Sequence, residues 1–135
     1  MKKYHLMVTF LFAMFVSGAW ASAKDNHLPC MGFSHTVEVS ACMFDLAESK
    51  KEAYTKEYKV YLGTITTKEE RPYDKVVIAK LVREARKNWD IYNEKECRAE
   101  ASVYEEDSYG FNDRYNSCLI KHYDERIKYY RENKL

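Results

Sequence analysis

The chain has 135 residues, with 22 basic side chains against 21 acidic ones, two prolines, four glycines and 32% charged residues. That length suits one domain of modest core size. The near-neutral balance offers no electrostatic footprint for nucleic acid or for an anionic membrane surface.

In chain order, Lys2 and Lys3 form a short positive region, residues 6–16 are almost unbroken apolar sequence, and Ala21-Ser22-Ala23 is a small-x-small cleavage site. These are the three parts of a secretory signal peptide over residues 1–23. The apolar run is short for the roughly 20 residues a bilayer needs, so no membrane anchor is expected after cleavage. No cysteine directly follows the run, so no lipid anchor is read either. Removing 23 residues leaves 112, residues 24–135, with 20 basic and 21 acidic side chains. All four cysteines, Cys30, Cys42, Cys97 and Cys118, lie in this part. An even count in a small exported domain reads as two disulfides.

Residues 24–33 carry Pro29, Cys30 and Gly32 and read as an extended lead-in. Ser34 or Thr36 is placed to cap a first helix, because either hydroxyl can accept from the free amides of an opening turn. Val37, Ala41 and Phe44, then Tyr54, Tyr58 and Tyr61, keep helical spacing, and Gly63 supplies a stop. The β-branched piece at 63–67 has no partner strand and is not read as one. Residues 64–74 form a polar connection interrupted by Pro72.

A second helix is predicted from a cap at Asp74 to Ser102 or Val103. Within it Leu81, Ala85, Trp89 and Tyr92 fall at spacings of four, four and three, which places them on one face. Residues 105–112, Glu-Glu-Asp-Ser-Tyr-Gly-Phe-Asn, read as an acidic turn-rich loop. Asn112 or Asp113 would cap a third helix, in which Leu119, Tyr123, Ile127 and Tyr130 repeat at four, four and three. The fold class is therefore all-α, a small three-helix antiparallel bundle. Twelve tyrosines suit the seams of such a bundle, with apolar rings inside and hydroxyls near water.

Cys97 precedes the acidic loop and Cys118 follows it by similar distances. At about 1.5 Å per residue the two sit at matching heights on adjacent helices. Cys42 lies two turns into the first helix, within reach of Cys30 in a lead-in that folds back. The favoured pairing is Cys30–Cys42 and Cys97–Cys118. Each closes a short loop, worth roughly 3 kcal/mol by chain-entropy reasoning.

These features resemble the LprI-type lysozyme inhibitors, small exported helical proteins with four cysteines. Thr36 stands six residues before Cys42, Tyr58 follows, then the run Leu81, Trp89, Tyr92 and Cys97, and last Cys118 with Arg126 eight residues on. The chain departs from the family pattern at Lys51, Tyr54, Thr55, Arg86, Asn93 and Glu94. Its acidic loop also replaces a Gly-Gly-Ser-like one. The resemblance implies a protein partner, a lysozyme or another enzyme that attacks the cell wall, and a periplasmic or secreted location.

Candidate chemistry is sparse. Trp89, Tyr92 and Tyr58 are expected in the core, and Arg126 opposite a carboxylate on another helix. Cys118 and His122 are four apart, but oxidised cysteines and the lack of a Cys-x-x-Cys argue against a metal. His27 and His35 are expected in solvent. No nucleophile elbow, His-Glu-x-x-His or phosphate-binding glycine loop occurs, so neither an enzyme nor a cofactor is expected. The candidate partner-binding residues are Glu105, Glu106, Asp107 and Tyr109. They form an acidic loop with an aromatic anchor, suited to a basic enzyme surface. Alternatives are an immunity-type protein against another envelope-attacking effector, or a structural envelope protein without inhibitory activity.

Overall fold

A computed structural model describes residues 29–67 and 74–133. The predicted leader at 1–23, His27 and the link at 68–73 lie outside the described residues. Among those described there is no strand. The order is a 3-10 turn at Pro29–Gly32, then α1 Thr36–Thr67, α2 Lys75–Ala101 and α3 Tyr109–Glu132. None of these helices is long and apolar enough to cross a membrane.

The helices run up, down and up. Cross-helix contacts pair Lys50 with Asp124 and Glu57 with Arg131, so α1 and α3 are parallel. Cys97 meets Cys118, and Glu100 meets Arg114, so α2 and α3 are antiparallel. The tightest packing is between α1 and α3, and α1 touches α2 least.

Local chemistry accounts for most helix ends. Asp74 caps α2 as expected, its carboxylate accepting from the Val76 amide at 2.8 Å and the Val77 amide at 3.2 Å. At α1 the flanking residue is His35, not Ser34 or Thr36, and its carbonyl accepts from the Glu38 and Val39 amides. Gly63 does not stop α1, which continues another turn. Thr64 and Thr67 turn their hydroxyls onto the carbonyls of Tyr61 and Gly63, each at 2.7 Å. Ile65 is fully buried, and that tertiary anchor outweighs the glycine. The start of α3 also differs from expectation. Ser108 caps it, four to five residues before the predicted Asn112 or Asp113, and accepts from the Phe111 amide at 3.1 Å. Asp113 instead receives the Ser40 hydroxyl of α1.

The larger core cluster joins Tyr54, Tyr58, Tyr61 and Ile65 of α1 to Tyr123, Ile127 and Tyr130 of α3. Tyr54 stacks on Tyr123 and Tyr130 at centroid separations of 5.3 and 5.9 Å, and Tyr61 on Tyr130 at 5.0 Å. A smaller cluster of Cys30, Met43, Ala47 and Ile120 fills the other end. Both disulfides form as favoured, Cys30–Cys42 and Cys97–Cys118. Both lie at that second end, with the α2–α3 loop.

The face of α1 that enters the core begins at Met43 and Ala47; Val37 and Phe44 are exposed. On α2 the inward residues are Ala79, Asn93, Cys97 and Ala101, with Ile78, Val82 and Trp89 packed against the tyrosine cluster. Leu81 is 54% exposed and Tyr92 55%, so the predicted face was rotated and Tyr92 is not a core residue.

The Cys97–Cys118 bridge spans 21 residues. Replacing both with serine should cost roughly 3 kcal/mol, seen as a lower urea midpoint while the helical circular-dichroism signal is retained. An unchanged midpoint would show that the bridge contributes no stability.

Candidate functional site

The α2–α3 loop, residues 102–108, connects the two helices that the Cys97–Cys118 bridge ties together. Its backbone is closed by Tyr104 N–H to Ala101 carbonyl at 3.0 Å and Ser108 N–H to Glu105 carbonyl at 3.1 Å. Asp107 adopts a left-handed conformation, φ 64°, one of the few that asparagine and aspartate tolerate. The Asn112 amide reaches back to the Asp107 carbonyl at 3.4 Å. A Cβ at Gly110 would stand 2.8 Å from the half-exposed Tyr104 ring, which would have to shift to admit it.

The predicted loop residues share this end of the bundle. Glu105, Glu106 and Asp107 are exposed, and Tyr109, the first residue of α3, is half exposed. Glu106 is tied to Arg98 at 2.5 Å, both ends lying in solvent. Val103, 78% exposed, and Tyr104 add apolar surface that the sequence reading left out. The loop thus offers three carboxylates, one partly neutralised, beside two exposed tyrosine rings.

Trp89 is partly buried and packs on the tyrosine core, whereas Tyr92 lies outside it. Tyr58 is buried, as expected. Among the described residues Arg126 meets no carboxylate. Its guanidinium lies over Tyr129 at 4.6 Å, Tyr130 at 5.1 Å and Trp89 at 5.5 Å, a cation–π arrangement. Beside this patch, Asn93 Oδ1 lies 2.6 Å from His122 Nδ1, a geometry in which the ring nitrogen donates. One atom each from Cys97, Cys118 and His122 falls within a 4.8 Å cluster. Both sulfurs are spent in the bridge, so they are not thiolate ligands.

A groove of about 570 Å³ lies between α1 and α2, floored by α3. Tyr54 and Asp90 define its centre. The Tyr54 hydroxyl donates to Asp90 Oδ1 at 2.7 Å, and Asp90 Oδ2 lies 3.6 Å from Arg86 Nε. Arg86 also donates to the Thr55 hydroxyl at 3.2 Å and covers the Tyr58 ring at 4.1 Å. Asn93 and Asn116, 2% and 7% exposed, line the same groove. Burial drives the Tyr54 hydroxyl far above the ordinary tyrosine range, and its bond to Asp90 adds to the shift. Burial likewise pushes Tyr61 and Tyr123 up to about 12.

The sequence reading did not single out Tyr54, Asp90, Asn93, Tyr115 or Asn116 as site residues. One signal could have found the α2 members. Counting back from the bridged Cys97 in helical steps gives Asn93, Asp90 and Arg86, and the polar residues on that inward face mark the groove.

Fold and staples define a disulfide-locked helical bundle that presents surfaces. A model of one family, described as lysozyme inhibitor LprI, matches residues 30–129, and the chain belongs to that family. A search of curated proteins found no match, and neither did a search of solved structures.

Two outcomes follow from this geometry. Tyr54, Tyr61 and Tyr123 bind their protons more tightly folded than unfolded, so their stabilisation is complete below about pH 10 and is lost as pH rises toward 12 and beyond. The urea midpoint should therefore fall between about pH 10 and pH 12, and a midpoint flat over that window would contradict the burial. At Asp107 the left-handed backbone favours glycine. Asp107→Val should lower stability by about 1–2 kcal/mol and Asp107→Gly should not, as thermal denaturation of the two variants would reveal.

Proposed function

We propose that this protein inhibits a lysozyme, acting outside the cytoplasm after removal of the leader at residues 1–23. Membership of a family described as lysozyme inhibitor, across residues 30–129, carries this reading. Two disulfides favour an oxidising compartment, the periplasm or the exterior. The partner-binding element is the α2–α3 loop, and occlusion of the enzyme rather than chemistry is the mode of action.

Three features support the loop. Its carboxylates are exposed and clustered, which suits a basic partner and speeds encounter. Tyr104 and Tyr109 are half-exposed rings of the kind that anchor protein interfaces. Its backbone is held by the Ser108 cap, the Asp107 turn and the Cys97–Cys118 bridge, so little ordering entropy is lost on binding.

The test is a cell-wall clearing assay with the oxidised protein at residues 24–135. The native protein should slow clearing, and the effect should weaken as salt is raised. Joint replacement of Glu105, Glu106, Asp107 and Tyr109 by alanine should raise the half-inhibitory concentration by about tenfold or more, a loss of about 1.4 kcal/mol or more of binding. If native protein inhibits and the quadruple variant inhibits equally well, the loop is not the contact surface. If native protein inhibits no lysozyme tested, the functional reading itself falls.

A further inference from the structure

We infer that the groove between α1 and α2 is a binding site for a short neutral oligosaccharide, separate from the loop and independent of whether the protein inhibits a lysozyme. At about 570 Å³ it lies within the usual size range of small-ligand sites. Its chemistry narrows the ligand class.

The decisive observation is Asn116. Its side chain is more than nine-tenths buried and lines the groove, yet its amide makes no hydrogen bond to any described residue. Its polar atoms keep access to the open groove, so two donors and an acceptor are available there to a ligand. The Tyr123 hydroxyl, also in the groove, is likewise without a described hydrogen-bond partner. Asn93 gives its carbonyl to His122, which leaves its NH2 group for a ligand. Asp90 uses one oxygen on Tyr54 and the other, more loosely, on Arg86, so it keeps acceptor capacity in a fixed position.

These groups form a preset array of donors and acceptors beside aromatic rings. Tyr115 on α3 and Phe44 on α1 supply ring surface, Phe44 well exposed and Tyr115 half-buried. A pyranose needs this combination, with hydroxyls to pair with amides and carboxylates and an apolar C–H face to lie on a ring. The charged lining is mixed: Glu48, Asp90 and Glu94 against Lys51 and Arg86. Phosphate or a polyanion would meet a net negative wall, and a purely apolar ligand would strand the amides.

The experiment is a nitrogen–proton NMR titration of the oxidised protein, residues 24–135, with two probes: a trimer of N-acetylglucosamine and a trimer of glucose. Saturable shifts of the Asn116 and Asn93 side-chain amides with either sugar support the site. A response to the first alone shows that an acetamido group is required, and a response to both that hydroxyls suffice. Asn116→Leu should weaken binding by about tenfold or more while the thermal midpoint is kept or raised. Tyr115→Ala, at a half-buried position, should also weaken it and serves if Asn116→Leu misfolds. Absence of saturable shifts at millimolar sugar, or shifts that map away from the groove, would overturn the assignment. A lysozyme assay on Asn116→Leu separates the two proposals, because inhibition should persist when sugar binding is lost.

Discussion

The bundle is organised by one side chain, Tyr54. Its ring meets Trp89 of α2 at 5.1 Å and Tyr123 and Tyr130 of α3 at 5.3 and 5.9 Å, and its hydroxyl ends on Asp90. All three helices converge on this residue. A leucine would fill much of the same volume but would remove the hydroxyl donor from Asp90, leaving it Arg86 at 3.6 Å. A core of tyrosines cannot be sealed as dry as one of leucines, because each hydroxyl must reach water or a partner. Here the consequence is geometric: α1 and α2 stay apart, and the polar ends of the core side chains line the opening between them.

The cations follow the same constraint. Arg86 and Arg126 lay their guanidinium groups on ring faces at the two flanks of the aromatic cluster, where arginine combines stacking with access to water. At the other end of the bundle the buried side chains are Met43, Ala47, Ala101, Phe111 and Ile120, with no tyrosine among them. Both disulfides are found at that end. The tyrosine cluster thus fills one end of the bundle, and both covalent links and the loop lie at the other.

Much of this was legible in the sequence. Three helices, the Asp74 cap, the inward stripe of α3 and the cysteine pairing all follow from spacing, because a single strong period or a simple height argument governs each. The errors arose where local signals competed. Gly63 looked like a stop because propensity was read without Ile65, whose burial holds the last turn of α1. The α2 face was set by Leu81 and Tyr92, large apolar residues that turn out to be exposed, when the bridged Cys97 was the better reference point. Ser108 caps α3 inside a stretch whose acidic, glycine-containing composition reads as loop as far as Asn112. The groove itself was not legible, since it depends on how far α1 and α2 diverge, which no single helix encodes.

Lys51, Tyr54, Thr55, Arg86, Asn93 and Glu94 all line that groove. The groove and the loop also share a member. Asn112 lines the groove and donates to the Asp107 carbonyl, so its position is felt on both surfaces. A ligand that shifts Asn112 acts on the Asp107 turn through one hydrogen bond. Any free energy passed from groove to loop returns in equal measure from loop to groove. The contact is exposed and 3.4 Å long, which bounds such coupling to the low end of a single neutral hydrogen bond, about 0.5 kcal/mol. At that size the two surfaces are nearly independent, one an exposed loop rich in carboxylates, the other a groove lined with amides.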